Sequence, residues 1–202
     1  MSRLPTQLTA ASAPPVCVRS ADRRDHAGIR SLLRSSYGPY APHLPAPVFR
    51  RYLADLLDLD RHGAAGELLV AERDGGIVGY VAFYPDAGLL GFDFPSGWAS
   101  GRGLAAHPAA RGRGVARALI AENERRARVN QSPVFAFHTA GFMGTAIALY
   151  DGLGYQRAPE YDVDLGVHYG FDGFAPIPVI AYRRDLVAAA APFPRPSSPA
   201  HR

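Results

Sequence analysis

Residues 102–127 read RGLAAHPAARGRGVARALIAENERRA, and the fold can be built outward from them. After Arg102 and Gly103, Leu104-Ala105-Ala106 is short and apolar, the pattern of a strand end. His107-Pro108 stops it, because proline donates nothing to a ladder and biases its predecessor towards extended geometry. Arg111-Gly112-Arg113-Gly114 is then a small-residue turn opening at Val115-Ala116 into a helix. Ala116, Leu119, Ile120 and Ala127 fall on one stripe of that helix. Glu122 and Arg126, and Glu124 and Arg128, are four apart on its other side in the favourable order.

A strand, a glycine turn and a helix N-terminus together make an anion site. The first N–H groups of a helix have no internal partner, and the helix dipole adds partial positive charge. Glycine lets a phosphate approach the main chain, and Arg111 and Arg113 add full charges. The competing reading is a plain strand-to-helix turn with surface arginines. All 22 basic residues are arginine, so neither a Walker A loop nor a Schiff-base lysine can be completed. A dinucleotide fingerprint fails too: Arg117 stands where its third glycine belongs, and the expected strand 134–138 lacks the ribose-binding acid.

These residues resemble the GNAT superfamily of N-acetyltransferases. Arg111 to Ala116 is similar to its Arg/Gln-x-x-Gly-x-Gly/Ala acyl-CoA loop, and Leu104-Ala105-Ala106-His107-Pro108 to the strand before it. Residues 146–155, AIALYDGLGY, resemble its second signature, Ala-x-x-x-Tyr-x-x-x-Gly-Phe. The resemblance covers residues 16–186. It implies an α/β fold with a mixed, mostly antiparallel sheet of six or seven strands, helices on both faces, and a parallel, splayed central pair. It also implies acetyl-CoA as co-substrate and direct transfer to an amine. N–H groups of Gly112, Arg113, Gly114, Val115, Ala116 and Arg117 would hold the pyrophosphate, with Arg111 at the mouth. Leu104, Ala105 and Ala106 would pair with the pantetheine, and Tyr150 would be the general acid. Two departures leave the base open: Ser100 stands where the family often has an acid, and Met143 where it often has asparagine. Glu72, Asp93, Glu160, Asp162 or a water chain are the alternatives. A non-catalytic acyl-CoA-binding domain, and an acetyltransferase acting on protein N-termini or side chains, are the competing functions.

With 202 residues, 48% of them hydrophobic, the chain can bury one core, expected over residues 16–187 between an arm (1–15) and an alanine/proline tail (188–202). A net charge of +4 suits an anionic co-substrate and argues no nucleic acid. A lone Cys17, no apolar leader and no run near 18 apolar residues lead to the expectation of a cytoplasmic protein without membrane contact. Seven scattered histidines predict no metal, and no Gly-x-Ser-x-Gly supports a hydrolase.

In chain order the pattern predicts a strand at 16–19, a helix at 21–36 capped by Ser20, and a helix at 47–59. Strands at 68–73 and 77–84 follow, joined through Asp74-Gly75-Gly76. Further strands are expected at 134–138, 161–165 and 179–184, with a helix at 142–152. Two long loops, 85–101 and 166–178, carry aromatics; Phe92, Phe94, Trp98, His168 and Tyr169 are therefore expected to line a pocket for a small, partly apolar amine. His107 reads as solvent-exposed, and His138 as either core or functional. The oligomeric state is left open.

Overall fold

Apolar alternation and a tight turn build the first half of the sheet. The structure, a computed structural model, describes residues 16–90 and 94–186. Strand β1 (Cys17–Ser20) pairs antiparallel with β2 (Glu67–Arg73), β2 with β3 (Gly76–Tyr84), and β3 with β4 (Ala99–Ala106). Asp74 and Gly75 both have positive φ, 52° and 75°, as the hairpin sequence requires.

The second half is built on β5 (Val134–Ala140), which pairs antiparallel with β8 (Pro178–Asp185). The two halves join where β4 and β5 run parallel, and that ladder holds at two positions, Ala99 with Phe135 and Ser100 with Ala136. Beyond them the strands part. The crossover between them is helix α4 (Val115–Val129).

The sheet has eight strands, against the six or seven expected. The difference lies after the 146–155 signature. The strand expected at 161–165 is instead β7 (Val163–Asp164), preceded by β6 (Gln156–Arg157), and both are two-residue pieces on β8. Asp164 ends β7 by accepting from Val167 N at 2.9 Å, which starts the short helix α6 (Leu165–His168) inside the expected loop.

The helices cover both faces. Leu69, Ala71, Val81 and Phe83 of the sheet pack with Val115, Leu119 and Ala127 of α4. Leu68, Val70, Tyr80 and Ala82 pack on the opposite face with Ile29 and Leu33 of helix α1 (His26–Tyr37). α1 starts later than expected and Ser20 is not its cap. Asp22 and Asp25 form a reciprocal capping box over a 3-10 turn, Arg23–Asp25, ahead of it. The expected helix 47–59 is two helices, α2 (Ala46–Leu57) and α3 (Leu59–Ala65), divided at Asp58, whose side chain caps the second through Arg61 N at 3.1 Å. Helix α5 (Gly144–Gly152) begins two residues later than expected.

On α4 the pair Glu122–Arg126 sits as expected, at 2.9 Å. Glu124 does not face solvent. It is buried, accepting from Tyr155 Oη at 2.7 Å and Arg184 at 3.2 Å as well as from Arg128 at 3.1 Å. Among the described residues no helix is long and apolar enough to cross a membrane. The expected arm (1–15), tail (188–202), Phe92 and Asp93 lie outside the described residues.

Candidate active site

Where β4 and β5 separate, a cavity of about 570 Å³ opens. One end is the turn before α4, where Gly112 and Gly114 take φ of 70° and 81°, backbone that glycine adopts without strain. Nothing lies within 4 Å of where a Cβ would stand on either glycine. Arg111, Gly112, Gly114, Val115, Ala116 and Arg117 line this end. The turn is tied down by Arg73, whose guanidinium donates to Arg113 O at 3.2 Å.

The middle of the cavity is the free edge of β4. His107 N–H donates back to β3 at Val78 O, 2.8 Å. Alternation therefore turns the main-chain groups of Ala106 and Leu104 the other way, into the gap. Two hydroxyls from the end of α1 meet those carbonyls: Tyr37 Oη donates to Leu104 O at 3.0 Å, and Ser36 Oγ more loosely to Ala106 O at 3.5 Å. Ser100 and Asn123 also line the cavity. Ser100 Oγ and Asn123 Oδ1 are buried without a hydrogen-bond partner among the described residues, so a bound molecule or water would satisfy them.

Tyr150 of α5 reaches the same cavity. Its ring packs on Phe137, centroids 4.1 Å apart, and burial pushes its hydroxyl pKa well above the usual phenol value. It is thus fully protonated near neutrality. His138 of β5 is a further wall residue. Its Nε2 bonds Tyr161 O at 2.7 Å, and burial lowers its pKa to about 4, so the ring is neutral at pH 7.

The sequence and the shape agree with known proteins. Residues 64–157 match the family described as acetyltransferase (GNAT) domain. The chain has the GNAT fold, and this stretch is where its sequence matches the family. Its fold is that of a GNAT-family acetyltransferase from Staphylococcus aureus (11% identity, TM-score 0.62, covering 86% of this chain and all of that one). A GNAT-family acetyltransferase from Brucella melitensis in complex with acetyl-CoA is similar at 23% identity, TM-score 0.51, over 70% and 83% of the two chains. The ribosomal-protein-S18-alanine N-acetyltransferase of Escherichia coli is similar at 14%, TM-score 0.58, over 89% and 99%. No curated protein sequence matches the chain.

The expected site residues divide. Leu104, Ala105, Ala106, the turn residues other than Arg113, and Tyr150 all border the one cavity. Of the expected acceptor residues, Phe94, Trp98, His168 and Tyr169 do not line it. Phe94 is buried and stacks on His138 at 4.3 Å, while Trp98 packs edge-on to Tyr161 at 5.3 Å, both in a satellite core with Val134 and Ala158. His168 packs against Tyr169, and Tyr169 Oη donates to Asp55 at 2.9 Å and accepts from Arg102 at 2.7 Å. Arg102 and Arg61 both pair with that Asp55 carboxylate, and Arg102 lines the cavity.

Of the candidate bases, Glu72, Glu160 and Asp162 are not at the wall. Glu72 is held by Arg19 at 2.5 Å, and Asp162 by Arg157 at 2.7 Å; Glu160 is exposed. His107 is exposed and accepts from Ala109 N at 3.3 Å, capping the turn that Pro108 begins. Among the described residues no cluster of three metal-ligating side chains occurs.

The sequence reading missed the aromatic wall made by Tyr37, Tyr40, Tyr52 and Phe142. Those residues come from α1, the 3-10 turn after it, α2 and the turn between β5 and α5, and no local pattern unites all four. A tyrosine pair, Tyr37 and Tyr40, flanking Gly38-Pro39 was the available signal.

Proposed function

We propose that the protein transfers an acetyl group from acetyl-CoA to the amine of a small-molecule acceptor, directly between the two bound substrates. One observation carries the reading: a single cavity joins an anion-binding helix N-terminus, a free strand edge and a protonated tyrosine. The residues fit the co-substrate. Open glycines and the first N–H groups of α4 suit a pyrophosphate, and the gap-facing groups of Leu104 and Ala106 suit the pantetheine amides as an added strand would. Acetyl-CoA in the related Brucella melitensis protein supports this choice.

Tyr150 would give its proton to the departing thiolate. A thiol has a pKa of about 8.5, so protonation near pH 7 is favourable, and a phenol at about 10 or above still holds its proton there. The rest of the work is positioning in a site screened from water. Release of free CoA thiol, followed continuously with a panel of amines, tests the reading. Tight acetyl-CoA binding without amine-dependent thiol release would favour the non-catalytic binding domain instead.

A further inference from the structure

The far end of the cavity from the glycine turn is an aromatic box. Tyr37 meets Tyr52 edge-on with centroids 5.8 Å apart, and meets Tyr40 at 6.2 Å. Tyr40 in turn meets Phe142 at 5.5 Å. All four rings line the cavity, and Met143 and Leu165 continue the wall. Burial raises the Tyr52 hydroxyl to about 12 and lifts that of Tyr37 well above the usual phenol value, so neither adds negative charge near neutrality. The charged side chain in this part of the wall, among the described residues, is the guanidinium of Arg102.

We infer that the acceptor is a monoamine whose nitrogen is carried on an aromatic or branched apolar body, selected by Tyr40 and Tyr52. The inference rests on the transferase reading for its chemistry but not for its binding surface. Rings set edge-to-face offer a further aromatic group the same contacts they make with one another. A polyamine would have to shed water from a second ammonium that finds no carboxylate lining the cavity, since Asp55 is held by Arg102 and Arg61.

The box also bears on the missing base. An alkyl amine with a pKa of about 10.4 is neutral in only about one molecule in 10³ at pH 7. Desolvation among rings disfavours the ammonium and lowers that pKa on binding. The nucleophile is thus partly generated by the pocket.

The test is calorimetric titration of CoA-saturated protein with 2-phenylethylamine, spermidine and a short peptide bearing a free N-terminal alanine. The aryl amine should bind at least about 10-fold more tightly than either other ligand, from apolar burial and ring contacts. Tyr52→Ala and the milder Tyr40→Leu should each remove most of that preference while CoA affinity stays unchanged. Equal or tighter binding of spermidine or the peptide would overturn the inference, as would unaltered aryl-amine binding in both variants. A thiol-release assay on the same samples separates the two readings. Selective aryl-amine binding without turnover would sink the transferase reading and leave the box assignment standing.

Discussion

The Tyr37 hydroxyl donates to the carbonyl of Leu104, at 3.0 Å, across 67 residues of sequence. It ties the last turn of α1 to the one stretch of β4 that has left its neighbour. Tyr37→Phe removes that bond, together with the hydroxyl's interaction with Tyr52, and should cost about 0.5–1.5 kcal/mol of stability. Urea melts should show it, and the deficit should shrink in saturating acetyl-CoA, when a pantetheine N–H can take the same carbonyl. An equal deficit with and without the ligand would mean that Leu104 O is not part of the binding edge.

Tyr150→Phe keeps the ring contacts with Phe137 and Tyr182 and deletes the hydroxyl. Loss of a general acid should lower kcat by roughly 10²–10⁴-fold. Acetyl-CoA affinity and melting temperature should hardly move. Because burial lifts this phenol well above 10, wild-type activity should not fall through its deprotonation below that pH. Wild-type kcat in the variant, with chemistry rate-limiting, would remove Tyr150 from the mechanism.

At the glycine turn, conformation and charge can be separated. Gly114→Ala puts a Cβ on backbone with φ of 81°, where steric cost is about 1–2 kcal/mol, although the surrounding space is open. It should distort the first N–H groups of α4 and weaken acetyl-CoA binding strongly. Arg111→Ala leaves that backbone intact and should weaken it only moderately, more at low salt than at high. Identical affinities for both variants and wild type by calorimetry would rule out the pyrophosphate assignment.

Acid should destabilise the fold through one buried and one half-buried imidazole. His62 donates from Nε2 to Asp55 O at 2.7 Å and accepts from the Tyr84 hydroxyl through Nδ1. Burial, with the Arg102 and Arg61 charges nearby, lowers its pKa to about 3; burial lowers that of His138 to about 4. An unfolded histidine takes its proton near pH 6.5. Between 6.5 and about 4 the unfolded chain therefore binds more protons than the folded one, and stability falls as pH falls. Denaturant midpoints across pH 4–7 should show this slope, and His62→Gln should flatten it.

Trp98→Ala tests the satellite core. With Trp98 packed on Tyr161 and Phe94 rather than lining the cavity, the variant should melt at a lower temperature and keep wild-type KM for both substrates. A raised acceptor KM at unchanged stability would restore Trp98 to the pocket.

The hairpin, the glycine turn and α4 were legible because their signals are local: a turn sequence, two glycines, a helical stripe. Glu124 was misread for the same reason. Its i+4 arginine suggested a solvent-facing pair, whereas its burial comes from Tyr155 and Arg184, 31 and 60 residues away. The split at Asp58 had a local signal too, an N-capping aspartate, hidden inside an apolar period that ran straight through it. The box had only the tyrosine pair about Gly38-Pro39. Tyr37 and Phe142 are brought into one wall by the sheet, while the loop residues Phe94 and Trp98 pack in a satellite core instead of lining the cavity.

Strand β4 ends its ladder with β5 at Ser100 and continues to Ala106. An exposed strand edge recruits whatever chain can pair with it, and proteins usually blunt such edges. Here the unmatched edge is folded inwards, between two halves of one sheet and under the hydroxyls of α1. What reaches it must be thin enough to thread a cleft. An edge that would otherwise invite a second strand is thereby turned towards the cavity instead of towards the surface of the sheet.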